Sequence, residues 1–237
     1  GADSMFGELG NDIYYVDNAG DFIFENDKVN QGVDKVFSSV TMNLSNPLQA
    51  RGFIENITLT GTNNINAVGN DLDNIIAGND GQNSLYGGAG NDVLTGYAGD
   101  DILNGQAGAD KMAGGFGNDS YYVDNAGDLV EEGATSATGI DKIYSSISLS
   151  LFNTAQITGS VENLTLIGSA NINATGSALD NILAGNAGNN YLVGLNGDDT
   201  LNGQAGNDIL YGGLGNNTLI RGAGADIFVF DTSPNRT

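Results

Sequence analysis

The chain has 237 residues, of which 29 are acidic and 7 are basic, giving a formal net charge of −22 at pH 7. A surface of this charge repels nucleic acid and anionic membranes, so the sequence excludes both as partners. The chain has no cysteine, histidine or tryptophan, which excludes disulfides, thiol nucleophiles and histidine metal sites. No apolar stretch approaches the roughly eighteen residues of a membrane-spanning segment.

Residues 13–68 form an irregular segment that is rich in β-branched and aromatic residues and is interrupted by turn signals such as DNAGD. Its stretches IYYV, FIFEN, VDKVFSSVTMNL and FIENITLTG predict β-strands. A similar segment occupies residues 123–175. The sequence therefore predicts two irregular β segments, each followed by a region with a different pattern.

The two segments belong to a longer repeat. NDIYYVDNAGD at 11–21 returns as NDSYYVDNAGD at 118–128, and ENITLTG at 55–61 returns as ENLTLIG at 162–168. Both stretches return at the same offset along the chain. We interpret the chain as two tandem copies of one module, with no linker between them.

Residues 69–122 and 176–230 repeat every nine residues, as in GGAGNDVLT at 87–95 and GQAGNDILY at 203–211. Glycine recurs at places one and four, Asp or Asn at place six, and a large apolar residue at place eight. The place-eight residues are Ile76, Leu85, Leu94, Leu103, Met112, Tyr121, Leu183, Leu192, Leu201, Leu210, Leu219 and Phe228.

One apolar residue in nine is too sparse for the buried face of a helix. A short strand at places seven to nine instead points its middle side chain inward. Two repeats then close a coil of roughly eighteen residues, and coils stack with Leu94 over Ile76 and Leu103 over Leu85. The predicted fold is all-β: a parallel β-roll, or β-solenoid, of nonapeptide repeats that begins near Ile57, with the two modules forming one elongated rod.

The turns of this solenoid combine glycine with carboxylates. Gly87, Gly88 and Gly90 are predicted to adopt positive φ angles, which leaves turn carbonyls without partners beside one aspartate per turn. Calcium prefers six to eight hard oxygen ligands at about 2.3 to 2.6 Å, whereas magnesium demands stricter octahedral geometry. The predicted cofactor is therefore Ca²⁺, and roughly eight ions would offset about 16 negative charges.

GGAGNDVLT and GQAGNDILY resemble the GGxGxDxUx nonapeptide of the repeats-in-toxin (RTX) family, also called haemolysin-type calcium-binding repeats, which form a calcium-loaded parallel β-roll. The resemblance implies that residues 1–12 end a preceding array. It also implies that ions lie in two opposite rows, one served by Asp92 and Asp110 and the other by Asp101 and Asp119. The implied site residues are Asp3, Asp12, Asp92, Asp101, Asp110, Asp119, Asp199, Asp208 and Asp226, with the turn glycines Gly88, Gly90, Gly99, Gly108, Gly117, Gly197, Gly206 and Gly215.

The first coil of each array departs from the family pattern. Because it lacks place-six Asp and one place-four glycine, its sites are predicted to bind calcium weakly or not at all. Its place-six residues are predicted to form amide ladders or to cap turns, because Asn tolerates left-handed turns. Asn217 weakens one further site. The departures are Asn74, Asn83, Asn181 and Asn190 in place of Asp, and Leu72 and Leu179 in place of glycine.

Paired carboxylates leave glycoside or uronide chemistry to be considered. The residues that could serve it recur at the module offset: Asp–Lys at 34–35 and 141–142, and Tyr–Tyr at 14–15 and 121–122. An active site is seldom needed twice in tandem. The Asp–Lys pairs are therefore predicted to be salt bridges or strand-face residues, the tyrosines to pack in sheets, and the chain to be non-catalytic.

Two functional classes remain open. The tandem modules favour a calcium-folded structural module of a secreted bacterial adhesin, surface-layer or matrix-like protein. The alternative is the carboxyl-side folding and secretion module of an exported lipase, metalloprotease or mannuronan epimerase. Sugar or ice binding on a flat face would need regular outward rows, and Thr95 and Thr200 are too isolated to form one.

The resemblance also implies type I secretion and an extracellular or cell-surface location, where millimolar calcium drives folding. The expected partners are calcium and neighbouring modules of the same protein. Open solenoid ends also make self-assembly an expectation, because they expose unpaired strand edges.

Overall fold

The structure is a computed structural model that describes residues 1–25, 32–132 and 139–230. Every regular element in these ranges is a β-strand, which confirms the predicted all-β class. None of the described residues forms a helix that could cross a membrane. The chain divides into two compact units, Gly1–Gly139 and Ile140–Thr237.

The first unit contains the strands β1 Ser4–Glu8, β2 Ile13–Val16, β3 Phe22–Glu25, β4 Lys35–Ser38, β5 Met42–Asn43, β6 Ala50–Arg51, β7 Asn56–Leu59, β8 Ala67–Val68, β9 Ile75–Ala77, β10 Ser84–Ala89, β11 Val93–Ala98, β12 Ile102–Ala107, β13 Lys111–Phe116, β14 Ser120–Val123 and β15 Leu129–Glu131. They form three sets of parallel strands, with the orders β1-β3-β6, β14-β12-β10-β8-β5 and β15-β13-β11-β9-β7-β4-β2.

The second unit contains the strands β16 Lys142–Ser145, β17 Leu149–Ser150, β18 Ile157–Thr158, β19 Asn163–Leu166, β20 Ala174–Thr175, β21 Ile182–Ala184, β22 Tyr191–Asn196, β23 Thr200–Asn202, β24 Ile209–Leu214, β25 Thr218–Ile220 and β26 Ile227–Val229. Its strands are also parallel, with the orders β25-β23-β21-β19-β16 and β17-β20-β22-β24-β26.

The register of the arrays confirms the predicted stacking. Leu94 pairs with Ile76 and Leu103 pairs with Leu85, each across one coil made of two nonapeptides. Strand length differs from the prediction in several repeats, because β10 to β13 continue from place seven through place three of the following nonapeptide. The turn glycines therefore lie at strand ends, where backbone pairing between coils holds them in register.

The irregular segments belong to the same solenoid, so the predicted start near Ile57 is wrong. Parallel pairing already joins β1 to β3. One continuous ladder then runs from the irregular segment into the array, pairing Ile13 with Lys35, Lys35 with Asn56, Asn56 with Ile75 and Ile75 with Val93. The coils of the irregular segment are longer than those of the array. Their strands nevertheless keep the parallel stacking.

The place-eight residues form the core, as predicted, with two exceptions. Those from Ile76 to Tyr121 and from Leu183 to Leu210 are fully buried. Leu219 is only partly buried and Phe228 is 37% exposed, so the prediction is wrong for them. Among the described residues no later strand stacks on β25 or β26, which leaves these two side chains without a covering layer.

The tyrosine pairs lie on strands, as the sequence predicts. Tyr14 and Tyr121 point into the core, while Tyr15 faces outward and stacks on Phe37 with ring centroids 5.4 Å apart. Lys35 lies with its Nζ 4.6 Å from the centre of the Phe37 ring. This residue therefore occupies the strand face, which was one of the two alternatives for the Asp–Lys pairs.

Candidate metal sites

The place-six aspartates of the first array form two columns. The backbone N–H of Asp92 donates to Asp110 Oδ1 at 2.7 Å, and that of Asp101 donates to Asp119 Oδ1 at 2.8 Å, each across 18 residues. Asp92 thus lies in one column with Asp110, and Asp101 lies in another with Asp119; that each column serves a row of ions stays a prediction. Stacking of equivalent strands therefore fixes one oxygen of the accepting carboxylate in each pair.

The second array is built in the same way. The N–H of Asp199 donates to Asn217 Oδ1 at 2.8 Å, and the N–H of Asp208 donates to Asp226 Oδ1 at 2.9 Å. Asn217, which the sequence predicts to weaken a site, thus keeps the column intact while carrying no charge.

The second carboxylate oxygen, Oδ2, has a different environment. In six of these aspartates it is buried and has no hydrogen-bond partner among the described residues. A buried carboxylate oxygen without a partner destabilises a fold strongly, so a set of six indicates that a positively charged group belongs beside them. The six are Asp92, Asp101, Asp110, Asp199, Asp208 and Asp226.

In five of these six turns a place-one glycine keeps the space in front of Oδ2 free, and the turn of Asp226 has Arg221 at this place. A methyl group on Gly87 would overlap Asp92 Oδ2 and lie 2.6 Å from the carbonyl oxygen of Gly105 in the next coil. A carboxylate and a carbonyl thus face one space with no donor between them, which is the ligand chemistry of calcium. The same pairing of oxygens recurs at Gly96 with Asp101 and Gly114, at Gly194 with Asp199 and Gly212, and at Gly203 with Asp208 and Arg221.

The predicted positive φ angles are right at Gly88 (+120°) and Gly90 (+117°) but wrong at Gly87, whose role is spatial. Place four is also where backbones approach most closely, since a methyl group on Gly108 would overlap the carbonyl oxygen of Gly90. All eight glycines implied by the resemblance have φ between +112° and +152°.

Place two adopts the left-handed conformation even without glycine, which the sequence did not reveal. Tyr97 has a φ of +79° and Gln106 one of +69°, and Leu195 and Gln204 are similar. Side chains rarely adopt this conformation, so residue type gave no signal. The backbone of these turns is therefore set by the turn as a whole.

Burial makes the aspartates difficult to ionise. It raises the pKa of Asp92 and of Asp101 to about 7, although the hydrogen bond from the preceding coil lowers it; the neighbouring carboxylate in the column raises it further. Burial likewise raises the pKa of Asp110 and of Asp119 to about 6. Ionisation of these carboxylates is therefore unfavourable, and they are stabilised either by keeping a proton or by a cation beside them.

Asparagine turns need neither. Asn83 Oδ1 accepts the N–H of Asn79 at 2.8 Å, and its Nδ2 donates to Ile65 O at 2.6 Å and to Asn79 Oδ1 at 3.0 Å. As predicted, these asparagines cap turns. In the other asparagine turns, the backbone N–H of the place-two residue donates to Oδ1 of the place-six asparagine in the same way. These pairs are Asn70 to Asn74, Ser177 to Asn181 and Asn186 to Asn190.

Asp12 and Asp3 differ from each other. Asp12 lies in an aspartate-type turn, with positive φ at Glu8 and Gly10, and its buried Oδ2 has no hydrogen-bond partner in the described ranges. Asp3 is exposed, and its carboxylate lies 3.9 Å from the amino terminus. The structure thus gives Asp12, but not Asp3, the features of the array sites.

The columns continue into the irregular segments, which the sequence interpretation missed. Asp12 N–H donates to Asp34 Oδ1 at 2.7 Å, and Asp34 N–H donates to Glu55 Oε2 at 2.8 Å. At the other end, the Oδ2 of Asp128 accepts N–H groups of its own DNAGD turn, from Asp124 and Asn125. Each of these acidic residues stands just before a strand, a signal that could have identified them.

The model of the RTX calcium-binding nonapeptide repeat (4 copies) matches residues 1–23, 68–103, 89–121, 175–209 and 193–228. The matches span more than half of the chain and include both arrays and the amino-terminal turn that holds Asp12. No curated protein matches the chain. The chain belongs to the RTX calcium-binding nonapeptide repeat family, and its β-roll is a structural calcium-binding module.

Proposed function

We propose that the chain is a calcium-folded structural module of a secreted bacterial protein, exported by type I secretion, which serves as a scaffold in an adhesin, surface-layer or matrix-like assembly. The recurrence of one module in tandem favours a scaffold over a module attached to an exported enzyme. Its partners in this role are calcium and neighbouring modules of the same protein.

The single observation behind this proposal is the set of six buried Oδ2 atoms that have no hydrogen-bond partner in the described part of the chain. Each repeats the same position in its turn, so one explanation must serve all six. At four of the six, Asp92, Asp101, Asp199 and Asp208, the oxygen shares the space in front of a place-one glycine with a carbonyl of the next coil. Ca²⁺ supplies the missing charge and accepts both kinds of oxygen as ligands.

We assign the ligand role to the place-six aspartates of both arrays and to Asp12, and the shaping of the turns to the place-two and place-four glycines. About four ions per array remain our expectation. The assigned aspartates are Asp12, Asp92, Asp101, Asp110, Asp119, Asp199, Asp208 and Asp226.

Coupling of binding to folding explains how such a chain is exported. Sites made from separate coils do not exist in an unfolded chain, so binding energy becomes folding energy. In cytosol calcium is scarce and 29 acidic residues repel one another, which keeps the chain extended. Outside the cell, millimolar calcium fills sites with affinities near 10⁻⁴ to 10⁻³ M, and the folded chain does not return.

Circular dichroism of the full chain during a calcium titration tests the proposal. Strand signal is expected to appear with calcium, to disappear on chelation, and to respond far less to magnesium. Asp101→Ala should raise the calcium concentration at the folding midpoint. Asp100→Ala is the matched control, because Asp100 is exposed one residue away. A chain that is already rich in strand without metal, and unchanged on addition of calcium, contradicts the proposal.

A further inference from the structure

We propose that the first unit holds a second kind of calcium site, built from side chains rather than turn carbonyls. Its ligands are the carboxylates of Asp12, Glu25 and Asp34, and Tyr14 lies beside them. This site binds one Ca²⁺ more tightly than the turns of the nonapeptide arrays do.

Three carboxylates meet at this place. One oxygen from each of Asp12, Glu25 and Asp34 can be chosen so that all lie within 4.8 Å of one another. Glu25 is 2% exposed and Asp34 is 5% exposed. The N–H of Asp12 donates to Asp34 Oδ1, which fixes two of the three relative to each other. Asp12 is half-buried, but its Oδ2 atom is buried. Three carboxylates at this separation, two of them on buried residues, repel one another strongly unless a cation lies between them.

A second, independent observation comes from Tyr14. The residue is 4% exposed, and its hydroxyl has no hydrogen-bond partner among the described residues. A methyl group on Gly7 would overlap both this hydroxyl and Glu25 Oε1, and would lie 2.9 Å from Asp12 Oδ2. Three oxygens from three side chains thus converge on one small space inside the protein, and a buried hydroxyl without a partner there indicates a missing ligand.

Comparison with the arrays explains the difference in strength. In front of Gly87, the oxygen facing Asp92 Oδ2 is the carbonyl of Gly105, one coil further along the chain. Glu25 follows Gly7 by the same number of positions as Gly105 follows Gly87. This coil therefore replaces a neutral carbonyl ligand by a carboxylate. Calcium affinity rises with the number of charged ligands and with rigidity, so this site fills first as calcium increases.

The test measures calcium binding to the full chain by isothermal titration calorimetry, and stability with and without calcium by urea denaturation. Glu25→Gln keeps the shape and removes one charge. It is expected to weaken the tightest equivalent of bound calcium by tenfold or more, and to stabilise the calcium-free chain by reducing repulsion. Glu8→Gln is the matched control, because Glu8 is exposed and glutamine already occupies place two at Gln106 and Gln204.

Gly7→Ala provides a second variant that fills the space without changing any charge, and it is expected to lose the same equivalent. If Glu25→Gln binds the same number of calcium ions with the same affinities as the unchanged chain, the inference is overturned. It is also overturned if Glu8→Gln loses the tightest bound calcium ion. The inference is separable from the function proposed above. If Glu25→Gln loses a tight ion while Asp101→Ala loses none, the side-chain site stands and the array sites do not.

Discussion

Two neighbouring coils of the first array differ at place six, which is Asn83 in one and Asp101 in the next. Their strands and buried leucines are equivalent, but their turns differ. Asn83 satisfies its own oxygen and nitrogen through three hydrogen bonds within the protein. Asp101 leaves Oδ2 without a partner among the described residues. The difference of one atom, nitrogen for oxygen, separates a turn whose side-chain polar atoms are all hydrogen-bonded from a turn that we expect to need a cation.

The backbone differs together with the side chain. In the asparagine turn, Asn79 at place two donates its N–H to Asn83 Oδ1. In the next coils, place two is in the left-handed conformation, at Tyr97 and Gln106. We therefore expect the array to contain coils that are complete without metal and coils that require it.

Among the tests of this comparison, removal of calcium should have the largest effect on the stability of the chain. Each site contributes about 2.7 kcal/mol when calcium is present at 100 times its Kd, so several sites together exceed the roughly 5 to 15 kcal/mol by which domains are stable. Chelation is expected to lower the melting temperature sharply. Hydrogen exchange at intermediate calcium should show that amides of the Asp101 coil lose protection before those of the Asn83 coil. Equal melting with and without calcium would contradict the distinction.

Asn83→Asp should convert the complete turn into an incomplete one. The new carboxylate would face Ile65 O and Asn79 Oδ1, where the amide now donates. An uncompensated buried charge costs about 3 to 5 kcal/mol, and urea denaturation without calcium should show a loss of this size. Asn91→Asp is the control, since Asn91 is exposed at place five, where aspartate already occurs in other repeats. An equal loss in both variants would show that burial of the amide is irrelevant.

Asp101→Asn is the reverse change and should have the opposite sign without calcium. The amide adds a donor facing Gly114 O and removes a buried charge, so the calcium-free chain is expected to become more stable. With calcium it should become less stable, by up to about 2.7 kcal/mol for a lost site. Calorimetry should show that the row shared with Asp119 weakens more than the row of Asp92. Asp100→Asn controls for net charge, and identical curves for the two variants would refute the assignment.

The pH dependence follows from the raised pKa values. Folding raises the pKa of Asp92 and of Asp101 to about 7 from an ordinary value of 3.8. The protonated groups therefore stabilise the calcium-free fold below about pH 4, and this stabilisation is lost as pH rises through 7. Calcium affinity should rise over the same interval, because ligands must be deprotonated. Denaturation at several pH values checks this, and a calcium-free fold that strengthens from pH 5 to 8 would contradict it.

Much of this comparison was predictable from the sequence. The nine-residue spacing predicted the parallel coils and the stacking of Leu94 on Ile76. One apolar residue in nine is too sparse for a helix face, but it suits the inward-pointing middle residue of a three-residue strand. It also predicted that Asn83 would cap its turn. Leu219 and Phe228 were predicted to be core residues and are not, since a repeat does not show whether another coil covers it.

Other features were hidden because they depend on contacts between coils. Asp34 and Glu55 continue the carboxylate column, yet each stands further from the preceding member of the column than the nonapeptide repeat predicts. Glu25 lies in front of Gly7 only because β1 and β3 are paired. The left-handed Gln106 has no sequence signal at all. Spacing therefore predicts the coils, while the turns between coils depend on the packed structure.

The smallest expected effect concerns that left-handed backbone. Gln106→Gly should stabilise the calcium-bound chain by up to about 1 kcal/mol, because a left-handed conformation costs roughly 1 to 2 kcal/mol for residues other than glycine and glycine returns about 0.5 to 1 kcal/mol of this through the unfolded state. Gln82→Gly is the control, since Gln82 is an exposed place-five residue without positive φ, and it should destabilise. Urea denaturation in saturating calcium measures both. If both variants lose stability equally, place two is not strained, and the difference between the two kinds of turn lies in their place-six side chains alone.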